Sequence, residues 1–187
     1  MKKTLVLSLS ALIFFAACKK DDGGGSTAAQ ATMSAKMDGT SVAFDSTLKA
    51  KWANTTVSGT TVSALSITGY KTTGGDGLNL QIIPVSTANK VIAGTYLETN
   101  TNSFYTEGVY FPKDSASSKI FQGFIAGISA SPANPLQVVI TSIDNVSVKG
   151  TFKGDFYYTF LNTADSNYYY SSSNKKTFTD GTFTAKF

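Results

Sequence analysis

The groups able to do acid–base, nucleophilic or metal chemistry are few in this chain of 187 residues, and they are scattered. Histidine is absent, which removes the commonest general base, the commonest transition-metal ligand and the usual switch near neutral pH. Without it, no hydroxyl or thiol can be activated in the Ser-His-Asp or Cys-His manner. Serine-lysine chemistry finds no Ser-x-x-Lys on a helix, since Ser115 and Lys119 stand one residue too far apart. A glycosidase needs two carboxyl groups across one sugar, and the candidates are Glu98, Glu107 and Asp155. The other aspartates have local explanations, with Asp38, Asp144 and Asp180 in turn-forming pairs and Asp76 in Gly74-Gly75-Asp76-Gly77. That glycine-rich run lacks the lysine-serine or lysine-threonine end and the helix of a phosphate cradle. Zinc lacks its nitrogen and sulfur ligands, and no Asp-x-Asp-x-Asp-Gly loop exists for calcium. We therefore expect no catalytic residue, no metal and no cofactor, with a carboxylate-dependent envelope hydrolase as the alternative.

Recognition chemistry is better represented. The aromatic side chains Tyr157, Tyr168, Tyr169 and Tyr170 fall in or near a late loop beside Ser171-Ser172-Ser173-Asn174, with Trp52, Tyr70, Tyr105 and Tyr110 elsewhere. Exposed tyrosines offer rigid amphipathic faces suited to sugar rings or protein partners, and Tyr168, Tyr169 and Tyr170 are the expected ligand contacts. All sixteen positive charges are lysines, so the planar fork that reads phosphate or guanine bidentately is missing and nucleic acid is not an expected partner.

The one cysteine, Cys18, ends a basic start (Lys2-Lys3), an apolar run from Leu5 to Ala17 and a short stretch of small residues. This is the pattern of a cleaved signal peptide, and thirteen helical residues reach only about 20 Å, short of the ~30 Å hydrocarbon core. Removal of Lys2 and Lys3 with such a leader lowers the formal charge from +4 to +2. Phe15-Ala16-Ala17-Cys18 resembles the lipobox of bacterial lipoproteins, with phenylalanine where leucine is usual. The resemblance implies acylation of the Cys18 thiol, cleavage before it and, with two or three acyl chains, lasting membrane attachment. Lys19-Lys20-Asp21-Asp22 resembles the lysine-plus-acid export signal of Bacteroidota lipoproteins, which implies the outer face of the outer membrane. Residues 23–30, Gly-Gly-Gly-Ser-Thr-Ala-Ala-Gln, follow as a flexible tether. The organisation expected is a signal peptide at 1–17, a lipidated cysteine and tether at 18–31, and one domain at 32–187.

In that domain the hydrophobic period is two. Leu65 and Ile67 alternate with Ser66, Thr68 and Tyr70; Leu78, Leu80 and Ile82 alternate with Asn79 and Gln81, and Pro84 closes the strand. The longest alternation sets Val146, Val148, Gly150, Phe152, Gly154, Phe156, Tyr158 and Phe160 against Ser147, Lys149, Thr151, Lys153, Asp155 and Tyr157. Its inward glycines mark a bend, a bulge or close backbone approach. Asp38-Gly39, Asp144-Asn145 and Asp180-Gly181 read as hairpin turns of positive φ. Further strands are expected at 48–54, 91–96, 104–111, 120–128 and 136–143. About ten strands without crossover helices make an all-β fold, an antiparallel sandwich with a barrel or half-barrel as the alternative.

The early Lys36-Met37-Asp38-Gly39, the late Val148-Lys149-Gly150-Thr151-Phe152 and the closing Asp180-Gly181-Thr182-Phe183 resemble small Bacteroidota lipoproteins with a domain of unknown function. The resemblance implies a fold and no activity. Asp114-Ser115-Ala116 is similar to the O-glycosylation acceptor of Bacteroidota exported proteins, which implies a modification site at Ser115, and Asp45-Ser46-Thr47 is a weaker match. The expected function is a non-enzymatic, lipid-anchored β-domain that binds a glycan or a protein or coats the cell. A scaffold subunit of a surface complex is a further alternative.

Overall fold

The computed structural model describes residues 30–72, 75–113, 120–123, 133–162 and 167–187. The chain is all-β there, and the alternating apolar positions account for it by turning one face of each strand inward. A first hairpin joins β1 (Thr32–Met37) to β2 (Thr40–Ala43), and a second joins β3 (Ser46–Val57) to β4 (Thr60–Tyr70). Then come β5 (Gly77–Pro84), β6 (Gly94–Leu97), β7 (Phe104–Phe111), β8 (Ile120–Gln122) and β9 (Gln137–Ile143). The two longest strands, β10 (Ser147–Asn162) and β11 (Asn167–Lys186), end the chain.

All eleven strands form one sheet, in the order β2-β1-β11-β3-β4-β5-β7-β8-β10-β9-β6, with β10 and β11 also paired. That extra pairing closes the sheet, since β3, β4, β5, β7, β8, β10 and β11 return to β3 through one parallel bridge, Lys186 to Lys49. The other pairings are antiparallel. Two layers thus face a common core and are hydrogen-bonded at their margins in the manner of a barrel, while β1 with β2, and β9 with β6, extend outside the closed ring and leave β2 and β6 as edges. The centre is aromatic: Phe44, Tyr110, Phe152 and Phe156 all pack their rings against Phe178, with Phe156 closest at 4.8 Å. The faces expected from β4 and β5 hold, with Leu65, Ile67, Leu78, Leu80 and Ile82 buried. Their outer face is partly covered too, because Val62, Ala64 and Ile83 form a second apolar cluster with Val57 and Tyr105. Beside it the buried Asn79 is satisfied by donating to Ser66 Oγ at 2.8 Å and Thr68 Oγ1 at 2.6 Å.

Turn chemistry departs from expectation in two places. Asp38 and Gly39 do take positive φ between β1 and β2. Asp180-Gly181 is no hairpin turn, however. It lies inside β11, where Phe152 faces Gly181 and Gly154 faces Phe178, so that one residue of β10 opposes two of β11. A bulge needs the same positive φ as a turn, and Asp180 supplies it at 51°. The Asp144 turn uses its side chain instead, with Oδ1 accepting from the amides of Val146 and Ser147. Gly154 sits at the bulge with φ 153°, and Gly150 lies against Val139 O and the Phe183 ring. Both inward glycines therefore mark a register shift, the first against β11 and the second against β9. Of the inward series, Val148, Phe152 and Phe156 are buried, but Phe160 lies beyond the closed part of the sheet and is exposed. Asp155, set opposite the inward series, is nevertheless fully buried.

Candidate functional site

Cys18, the segment Lys19, Lys20, Asp21 and Asp22, and Ser115 lie outside the described residues. Tyr168, Tyr169 and Tyr170 are found in β11, paired across to Leu161, Phe160 and Thr159, and not in a loop. The residues after them, 171–174, also belong to β11, where a second irregularity separates the pairs Tyr158–Ser171 and Tyr157–Lys175. Tyr169 is exposed and lies over Phe160, which stacks in turn on Tyr158, while Tyr170 packs edge-on to Tyr157. The tyrosines thus belong to a projecting arm made of the ends of β10 and β11.

The three candidate carboxyl groups divide between two places. Asp155, on the outer face of β10, accepts from Lys175 Nζ at 2.6 Å and Thr177 Oγ1 at 2.7 Å, and more weakly from Asn134. Glu98, just after β6, turns its Oε2 to the Leu136 amide at 2.7 Å, and its own amide donates to the Leu136 carbonyl. Burial pushes the Glu98 carboxyl up to about 7 against that hydrogen bond, and the charge of Asp155 adds to the rise. The same neighbourhood raises the Tyr157 phenol, through burial first and Asp155 second, and the hydrogen bond to Asp155 holds Lys175 above the ordinary lysine range. Glu107, opposite Gln81 on β7, is pushed up to about 7 by burial alone. Glu98 and Asp155 therefore sense each other, yet Asp155 has no exposed surface with which to meet a substrate. Among the described residues no group of three or more ligating side chains could hold a metal ion, and no helix is long and apolar enough to cross a membrane.

A groove at the surface is built from other residues. Ser58 and Gly59, both of positive φ, let β3 and β4 turn in two residues and continue as a ribbon beyond the closed sheet. The ribbon's core-side face there carries Trp52 and Asn54 from β3 and Thr61 and Ser63 from β4. Across from them stands the segment after β5, with Ser86, Asn89 and Lys90, and the groove between holds about 550 Å³. Trp52 is 46% exposed, and its indole stacks nearly parallel on Phe187 at 5.8 Å. The facing segment is pinned. Asn89 Nδ2 donates to Ser103 O at 3.0 Å, Val91 is buried, and the Tyr96 hydroxyl exchanges hydrogen bonds with the Ile92 amide and carbonyl. Lys90, between two pinned residues, is the one charged side chain among the described lining residues.

No protein-family model, curated protein or solved structure matches the chain. Sequence reasoning noted Trp52 only as one scattered aromatic and missed the groove around it. The local signal was the pair Ser58-Gly59 between two β-branched runs, Thr55-Thr56-Val57 and Thr60-Thr61-Val62, which marks a tight hairpin and places Trp52, Asn54, Thr61 and Ser63 on one face.

Proposed function

We propose that the chain is a lipid-anchored protein of the outer membrane, facing the cell exterior, whose β-domain binds a saccharide in the Trp52 groove without catalysing its cleavage. The observation that carries this reading is the exposed indole set among hydroxyl and amide side chains, opposite a pinned wall. An indole face accepts the apolar C–H face of a sugar ring, and Asn54, Thr61, Ser63 and Ser86 offer the donors and acceptors that sugar hydroxyls need. A preformed wall lowers the ordering cost of binding. The anchor rests on the pattern from Lys2 to Asp22.

A glycan array probed with the full-length chain in mild detergent tests the binding. Retention of at least one saccharide class is expected, with Trp52→Ala weakening it ten-fold or more and Tyr169→Ala leaving it unchanged. No retained saccharide, or loss with Tyr169→Ala alone, would refute the groove as the binding site. The anchor has its own check: labelled palmitate should enter the wild-type chain and not Cys18→Ala.

A scaffold role is the second reading, favoured by the exposed Phe160 and Tyr169 on the projecting arm. It requires that the double variant Phe160→Ala/Tyr169→Ala change the particle mass measured in detergent while leaving saccharide binding intact. The hydrolase alternative would need Glu98→Gln to abolish turnover, although its neighbour Asp155 is sealed from solvent.

A further inference from the structure

We infer that the saccharide of the Trp52 groove is acidic, with a carboxylate or sulfate group set against Lys90. The inference rests on the groove being a saccharide site and goes on to name the class of sugar. Among the described residues Lys36 pairs with Asp180, Lys71 with Asp76, Lys175 with Asp155 and Lys176 with Asp38. Lys90, like several other surface lysines, joins none of these pairs, and it is the one of them whose exposed side chain lines the groove. Its backbone is also fixed, because Asn89 on one side is tied to Ser103 and Val91 on the other is buried in the core. The backbone that carries the charge is therefore held at the rim of the groove, and the flexible lysine stem sets its ammonium within reach of a bound ring.

The rest of the described lining is neutral. Hydroxyl and amide groups hydrogen-bond to neutral sugars, but they cannot compensate an ammonium. An anion bound there gains Coulomb energy that a neutral sugar does not, and the partial exclusion of water by the ring stacked on Trp52 strengthens it relative to an open surface. A single exposed ion pair contributes little, so the expected discrimination is several-fold and not absolute. Its salt dependence separates it from the stacking contribution, since screening weakens the ion pair and leaves the aromatic contact in place.

Two matched pairs of probes distinguish the anion as well as its presence. They are oligogalacturonate against its methyl ester for carboxylate, and dextran sulfate against dextran for sulfate. Affinity electrophoresis or calorimetry with the full-length chain in mild detergent should show the acidic member of at least one pair bound about five-fold or more tightly at low ionic strength. The preference should collapse in 0.5 M salt and in Lys90→Met, while Trp52→Ala weakens both members together. Equal affinity for the members of both pairs would overturn the acidic assignment and leave the groove reading standing. A preference that survives Lys90→Met overturns the assignment to Lys90. Failure of Trp52→Ala to weaken any bound probe sinks the groove reading itself.

Discussion

The Asp155 carboxylate is wholly enclosed yet charged-partnered, with Lys175, Thr177 and Asn134 supplying its donors. A buried acceptor of this kind is costly to disturb, because its hydrogen bonds are lost and a void is left where the carboxyl stood, even though Lys175 and Asn134 are exposed enough to turn to water. Asp155→Ala is expected to lower the unfolding free energy by about 3 kcal/mol, read from the urea midpoint. Lys175→Met should destabilise as well, by leaving an enclosed carboxylate without its cation. Glu98 makes a prediction of pH dependence. Folded, it keeps its proton up to about pH 7, whereas the unfolded chain releases it near 4.5. The folded state therefore binds more protons between these values, and stability falls as pH rises through that window. Glu107 acts in the same direction. The melting temperature should be highest near pH 4.5 to 5 and decline to a plateau above pH 7. The double variant Glu98→Gln/Glu107→Gln should flatten that decline while keeping an acceptor for the Leu136 amide. At the acid side Asp144, held low by the amides of Val146 and Ser147, works oppositely and loses its contribution below the ordinary aspartate range. A melting temperature that rises from pH 5 to 8 would contradict this account of both glutamates.

At the scale of elements, the bends in β10 and β11 let two long strands serve both layers of the sheet. Gly154 is where that depends most on a missing side chain, since a Cβ there would meet Leu136 Cα at 2.6 Å and φ is 153°. Gly59, at the tip of the β3–β4 ribbon, has positive φ but open space around it. Gly59→Ala should therefore cost about 1 kcal/mol from backbone strain alone. Gly154→Ala should cost about 3 kcal/mol or more, because crowding adds to strain. Comparable denaturation midpoints for the two variants would contradict that division. The same elements mark what the sequence discloses. Alternation located β7 to the residue and separated the inner from the outer faces of β4 and β5, because a period of two is a local property. Asp180-Gly181 misled because a bulge and a turn demand one backbone conformation, and only the pairing of β10 with β11 distinguishes them. The enclosure of Asp155 was illegible for a related reason: its place opposite the inward series could be read, but Asn134 and Lys175, which cover it, lie about twenty residues away on either side. Asn54 and Ser63 could be placed on the face of Trp52 from the hairpin, while the wall carrying Lys90 comes from a segment whose position no local pattern specifies.

For the whole molecule, closure of the sheet explains how a domain without disulfides among its residues orders eleven strands around one aromatic core. It also separates two surfaces. β1 begins at Thr32 opposite Thr184, close in the sheet to the Phe187 that stacks on Trp52, while the Tyr169 arm lies at the other end of β11. On the proposed reading the Cys18 anchor and the Trp52 groove act independently, although the tether enters the sheet near the groove. Cys18→Ala is expected to move the protein from the membrane to the soluble fraction without altering saccharide affinity. A change in affinity would mean that the groove is not independent of the anchor. The central claim is that Trp52 forms the floor of a saccharide site, and the most direct measurement is calorimetric titration of the best array ligand into wild type, Trp52→Ala and Asn54→Ala, with melting curves alongside. The expected result is a ten-fold or greater loss of affinity for Trp52→Ala and a smaller loss for Asn54→Ala, at melting temperatures within a few degrees of wild type. Unchanged affinity in both variants, with the fold intact, would contradict it.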